Sequence, residues 1–218
     1  MSIAAAIVAN HLRGASAVGV RRWTLLRMQR ETTTFMSMSE SHANPGDQGR
    51  QRHSSDLLER AFHDCQDGLF GTLYYLVGNG DDAREAFQET FAKCWRLRRN
   101  IAEVSDLKVW IFRIAMGAAR DFRDAAGRPR RTSLADPEAS PLLADEFSQA
   151  DAARREQIAV ARKTLMRLRP NEQEIFLLRQ NAQMTYEQIA QAINLPVGIV
   201  KTRMRLALRK LREALEAS

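Results

Sequence analysis

From Ser55 onward, apolar residues recur at intervals of three and four, and no stretch alternates apolar with polar as a half-buried strand would. That pattern restricts the chain to an all-α fold. Leu57, Leu58, Ala61, Phe62, Cys65, Leu69, Leu73 and Leu76 lie along one helical face. Gly78-Asn79-Gly80 stops that helix, and Asp81-Asp82 suit the positive end of the next. There Ala83, Ala86, Phe87, Thr90, Phe91, Cys94 and Trp95 form one stripe. A polar loop from Arg98 to Ser105 follows. A third helix carries Leu107, Trp110, Ile111, Ile114, Ala115, Ala118 and Phe122, and Gly127 and Pro129 end it. These helices predict a first domain over residues 54–126.

Residues 127–150 hold Pro129, Pro137 and Pro141 without a clear period, which reads as a flexible linker. Its start is basic (Arg128, Arg130, Arg131) and its later part acidic (Asp136, Glu138, Asp145, Glu146). Residues 151–218 are helical again and form the second domain. Ile158, Ala161, Leu165 and Leu168 mark one helix, and Pro170 suits the first position of another carrying Ile175, Phe176 and Leu178. Residues 1–53 differ from all of this. No acidic residue precedes Glu31, and residues 37–55 are rich in Ser, Gly, Gln, Asn and His. Such composition buries little surface, so this stretch is expected to be a disordered extension or to precede the true start.

Hydrophobic residues make up 44% of the 218, enough for a core, and the net charge of +7 points toward polyanionic partners. No apolar run reaches the length of about 18 residues that a membrane helix needs. Ile3 to Ala9 is too short to span and lacks the charged start of a secretory signal. With Cys65 and Cys94 both on apolar stripes, the expected setting is a reducing cytoplasm. His63 and Cys65 are two apart on a helix and point to different sides. No metal-ligand cluster, phosphate-binding loop or nucleophile motif stands out, so neither catalysis nor a cofactor nor a metal is expected.

The most specific local signal lies between residues 184 and 212. Thr185-Tyr186-Glu187-Gln188 fits a capping box. Ile189, Ala190 and Ile193 give a short apolar face, with Ala190 small enough for a close helix crossing. Asn194 tolerates a left-handed conformation at the helix end, Leu195 plugs the turn and Pro196 starts the next helix. On that last helix Val200, Met204, Ala207, Leu208, Leu211 and Leu215 form the buried stripe. Gly198, Lys201, Thr202, Arg205, Arg209 and Arg212 line the opposite face. From Pro196 to Ser218, six Lys or Arg stand against two Glu, a net +4. A cationic helix after a tight turn is what a major-groove reader requires. Lys201, Thr202, Arg203 and Arg205 lie in the half that enters the groove, and Arg209 lies further along, at phosphate level.

These motifs resemble a known family. Met184-Thr185-Tyr186-Glu187-Gln188-Ile189-Ala190 and Gly198-Ile199-Val200-Lys201-Thr202-Arg203 are similar to the carboxy-terminal domain of bacterial RNA polymerase sigma factors, the extracytoplasmic-function group above all. The stretch from Asp82 to Phe91, with Trp95, resembles that family's polymerase-docking helix. Trp110 to Ala115, with Asp121, resembles its promoter-melting helix. The resemblance covers about residues 55 to 215 and departs at Arg84-Glu85, Met116-Gly117, Gln173 and Ile199. It implies a factor that binds core RNA polymerase, recognises promoter DNA and promotes strand opening. By resemblance, Asp82, Gln88 and Glu89 would dock on polymerase, and Thr185 joins the DNA-binding set. Arg99 and Asn100 would sit near the pocket for an unstacked base, while Arg113 and Arg120, with Arg123, would meet backbone phosphates. Trp110 and Phe112 would assist melting or belong to the core. The linker would thread toward the polymerase channel, its acidic half mimicking nucleic acid, or serve as a plain tether. An anti-sigma partner is implied by resemblance only. Two other readings compete: a helix-turn-helix regulator that never docks on polymerase, and a protein-interaction module whose basic face only aids solubility.

Overall fold

A computed structural model describes residues 45–125 and 152–217. Among them are seven α-helices and no strand. Helices α1 (Pro45–Val77), α2 (Gly80–Arg96) and α3 (Leu107–Ala125) form a first unit, with a 3-10 helix (Arg98–Glu103) between α2 and α3. Helices α4 (Ala152–Arg167), α5 (Pro170–Gln180), α6 (Tyr186–Ile193) and α7 (Val197–Glu216) form a second.

The apolar stripes account for the packing. Leu58, Phe62, Leu69 and Leu73 of α1 meet Ala83, Ala86, Phe87 and Cys94 of α2 and Ile111, Phe112 and Ala115 of α3. Phe62 meets Phe87 and Phe91 edge-on, with ring centroids 5.3 and 5.1 Å apart, a favoured aromatic geometry. Thr72 and Thr90, buried among them, each donate to the carbonyl four residues back, at 2.7 Å. Burial pushes the Cys65 and Cys94 thiols up to about 12, so both are neutral at ordinary pH. In the second unit, Phe176, Leu177 and Leu178 of α5 pack with Val200, Met204, Ala207 and Leu211 of α7.

Local signals account for the element ends. Gly78 takes φ 92° after α1, a conformation that glycine adopts without steric cost. Asn79 caps α2, its side chain accepting from the Asp82 N–H at 2.8 Å. Three features differ from the sequence-based expectation. First, α1 begins at Pro45, so residues 45–53, expected in the extension, are helical; once a helix is nucleated, adding turns costs little. Second, the expected polar loop after α2 contains a 3-10 helix anchored by buried Ile101. Third, Pro196 precedes α7 as its N-cap rather than opening it. Residues 1–44 and the whole of the expected linker, 127–150, lie outside the described residues.

Candidate nucleic-acid and polymerase interfaces

The second unit builds its site on a tight turn. The Thr185 hydroxyl accepts from the Gln188 N–H at 3.1 Å, and the Gln188 side-chain Oε1 accepts from the Thr185 N–H at 2.9 Å, closing the capping box. Two orphan donors at the start of α6 are thereby satisfied. Asn194 stands at φ 54°, ψ 53°, left-handed, and the Leu195 N–H returns to the Ala190 carbonyl at 3.0 Å. This turn swings α7 across α6 with Ala190 and Val200 buried at the crossing.

The turn sets which residues of α7 reach outward. Lys201, Thr202, Arg205, Arg209 and Arg212 are exposed, as the two-faced pattern predicts. Arg203 is half-buried, on the flank of that row. The Thr202 hydroxyl donates to the Gly198 carbonyl at 2.9 Å, and Arg209 is 3.8 Å from Glu213. Leu208 and Leu215 pack only partly against the core. Tyr186 organises the start of the site: the Arg179 guanidinium lies 5.2 Å and the Lys201 ammonium 5.8 Å from its ring centroid. Both distances allow cation–π attraction. Arg179 also donates to the Met184 carbonyl at 2.6 Å. The Glu187 carboxyl is held below its ordinary range, first by its own backbone N–H and then by the Thr185 hydroxyl.

The first unit presents two further surfaces. On α2, Gln88 is exposed. Glu89 is half-buried, 3.3 Å from Arg96 and 3.7 Å from Lys93. Asp82, half-buried, also accepts from the Asn79 side chain at 2.6 Å, so it holds the start of the helix. Around the 3-10 helix, Arg99 is exposed and nothing is described of the Asn100 side chain. Trp110 is half-buried against the core, and Phe112 is fully buried, which removes it from any stacking role. Sequence reasoning missed Arg98, whose guanidinium lies 4.5 Å over the Trp95 ring and donates to the Trp95 carbonyl at 2.9 Å. Its signal was present in the basic run Arg96 to Arg99.

On α3, Arg113 and Arg120 are exposed and Arg123 is half-buried. All three are met by the second unit. Arg113 donates to the Gln191 carbonyl at 2.7 Å, and Arg120 and Arg123 donate to the two oxygens of Glu174 at 3.0 and 2.9 Å. Among the described residues no cluster of His, Cys, Asp or Glu could hold a metal ion, and no helix is long and apolar enough to cross a membrane.

Comparison with known proteins agrees with this division. Residues 61–128 match the family model for sigma-70 region 2, and residues 164–213 match that for sigma-70 region 4. The chain is 28% identical to the RNA polymerase sigma-H factor of Pseudomonas aeruginosa, over 76% of this chain and 88% of that protein. It is 25% identical to the ECF RNA polymerase sigma-E factor of Haemophilus influenzae, over 64% of this chain and 77% of that one. The RNA polymerase sigma-E factor of Streptomyces antibioticus is 28% identical over 69% and 80%.

Proposed function

Because this chain belongs to the sigma factors, of the extracytoplasmic-function type, we propose that its three surfaces divide the work of initiation among the residues just described. As a sigma factor it binds core RNA polymerase, recognises promoter DNA and promotes strand opening. A regulator that never docks is not favoured, since region 2 is matched as well as region 4. Sigma factors are not enzymes in general; in this reading the polymerase supplies all the chemistry and the chain acts in the cytoplasm.

The exposed row on α7 is the single observation that carries the assignment. Arg205 and Lys201 read base edges in the major groove, Arg203 assists from the flank, and Arg209 holds a phosphate. Thr202 contributes its methyl group, since its hydroxyl is turned back to Gly198. Thr185 supports the site by capping α6, whose N-terminal end suits a phosphate. On the first unit, Arg99 and Trp110 flank the unstacked base, with Asn100 beside them by sequence. Arg113 and Arg120 take the strand's phosphates. Gln88 and Glu89 face the polymerase, and Asp82 sets the start of their helix. The domain limits proposed are 54–126 and 151–218, joined by 127–150. An anti-sigma partner is proposed on family resemblance alone.

The test is binding of the full chain to core polymerase and transcription by the resulting holoenzyme. Gln88→Ala with Glu89→Lys should weaken core binding while leaving the helical signal and melting temperature unchanged, because both side chains lie outside the core. Core binding as tight as the parent's would remove α2 from the docking role.

A further inference from the structure

Among the described residues, one of the exposed large apolar side chains stands on the cationic helix. Leu97 and Met166 lie elsewhere, whereas Ile199, 42% exposed, is in the first turn of α7, which begins at Val197. A single exposed apolar residue is ordinary on a protein surface. Ile199 is set apart by its neighbours. Gly198, Lys201 and Thr202 around it are exposed too. Thr202 and Arg203 follow it by three and four residues, the spacing at which helical side chains adjoin. Ile199 is also one of the positions where the chain departs from the sigma-factor pattern.

Two neighbours extend this apolar spot. The Thr202 hydroxyl is spent on the Gly198 carbonyl, to which it donates at 2.9 Å, so its methyl group is the part left for contact. Gly198 is helical and has no positive φ, and a Cβ added there would meet nothing within 4 Å. The fold gains nothing from glycine at this position, and glycine weakens a helix. What it provides is room for a close approach from outside the molecule. Charge indicates what approaches. The first turn of α7 holds no acidic residue, and Lys201, Arg205 and Arg209 are exposed along the same helix. The matching surface is a polyanion that carries an apolar group. In the major groove, adenine, guanine and cytosine offer nitrogen and oxygen atoms, and thymine alone adds a methyl group.

We propose that Ile199 determines promoter specificity by covering the 5-methyl group of one thymine in the distal promoter element, with Gly198 leaving room for the strand and the Thr202 methyl group alongside. This deepens the reading of α7 as the groove helix and rests on it. Arg205 and Lys201 select bases by hydrogen bonding, and deoxyuridine offers them the same O4 acceptor as thymine. Ile199 selects by the methyl group, which deoxyuridine lacks.

That difference supplies the experiment. Holoenzyme formed from core polymerase and the full chain selects promoters from a library randomised over the distal element. The parent should enrich thymine at one position or more. Each enriched thymine is then replaced in turn by deoxyuridine. One replacement should weaken promoter binding by the parent holoenzyme about fourfold, the worth of one methyl group removed from water. With Ile199→Ala, thymine and deoxyuridine should bind alike at that position, and with Ile199→Val the ratio should fall between. Alanine is the better helix former, so the variant should keep the parent's helical signal and bind core polymerase as tightly. An element without enriched thymine, or equal binding of thymine and deoxyuridine throughout it, overturns the methyl contact. A ratio that survives Ile199→Ala but is lost with Thr202→Ser gives the contact to Thr202 and overturns the role of Ile199. Arg205→Ala tells this failure from the wider one. If it alters base preference while deoxyuridine has no effect, only the methyl contact falls. If neither change has an effect, the reading of α7 as the groove helix falls with it.

Discussion

Helices α3 and α7 each carry a row of cations at helical spacing, but those of α3 end on oxygens of the other unit while those of α7 end in solvent. The residue types and periods are alike, so the difference comes from what tertiary packing sets opposite each row. On α7 the turn at Asn194 leaves Arg205 in solvent and Lys201 exposed beside the Tyr186 ring of α6. On α3 the same packing that buries Ala115 and Ala119 against neighbouring helices brings Glu174 within 3.0 Å of Arg120. Arg120 remains 45% exposed, so this pair adds little stability by itself. Its effect is on availability: a cation held by a carboxylate must release it before meeting a phosphate.

The largest expected effect probes the inner side of the α7 row. Leu211, 2% exposed, lies between α7 and the rest of the second unit. Leu211→Ala should cost about 2–5 kcal/mol, read as a lowered denaturation midpoint. Leu208→Ala should cost less, because Leu208 is only half-buried. Equal losses at the two positions would mean that α7 is rotated about its axis.

Next in size is the contrast between the rows themselves. Arg205→Ala should change base preference at one position of the distal promoter element by roughly 1–3 kcal/mol, scored by transcription from a panel of promoter variants. Arg209→Ala should weaken all promoters alike and flatten the salt dependence by about one unit of slope. In the free chain, Arg113→Ala should leave duplex binding unchanged. A loss there equal to that from Arg205→Ala would erase the distinction between masked and open cations.

The smallest effect concerns the turn that keeps the α7 row open. Thr185→Ala removes one half of the capping box and should destabilise the second unit by about 0.5–2 kcal/mol. A thermal melt that does not move would show that α6 is held by its apolar face alone.

Much of this was legible in the sequence. The stripes of Phe87, Cys94, Ile111, Val200 and Met204 identify the buried faces, because one helical period encodes both the element and its inner side. The capping box and the left-handed Asn194 are local chemistry, readable from a few neighbouring residues. The seat between the units was not legible. Glu174 and Arg120 are 54 residues apart, and a charged residue on a helix looks the same whether it meets water or a distant arginine. Gly68 gives no local signal either: only the fold shows that a Cβ there would stand 2.5 Å from the Asn181 carbonyl oxygen. The start of α1 at Pro45 was hidden for another reason: residues 45–53 are polar and carry no apolar period. Among the candidate residues, Arg203 and Thr202 were placed correctly along α7, but periodicity does not resolve the half-buried flank of the one or the turned-back hydroxyl of the other.

The aromatic cluster of the first unit has a spectroscopic consequence. Trp95 is buried, stacked on Phe91 with centroids 5.9 Å apart, beneath the Arg98 guanidinium. Trp110 lies on the same unit, whereas α4 to α7 contain no tryptophan. The third indole, Trp23, lies outside the described residues and can be removed by Trp23→Phe. Ultraviolet emission excited at the red edge then observes the first unit alone, while far-ultraviolet ellipticity observes every helix. Recorded together during a single melt, the two signals would time the unfolding of one half of the molecule against the other without any added dye.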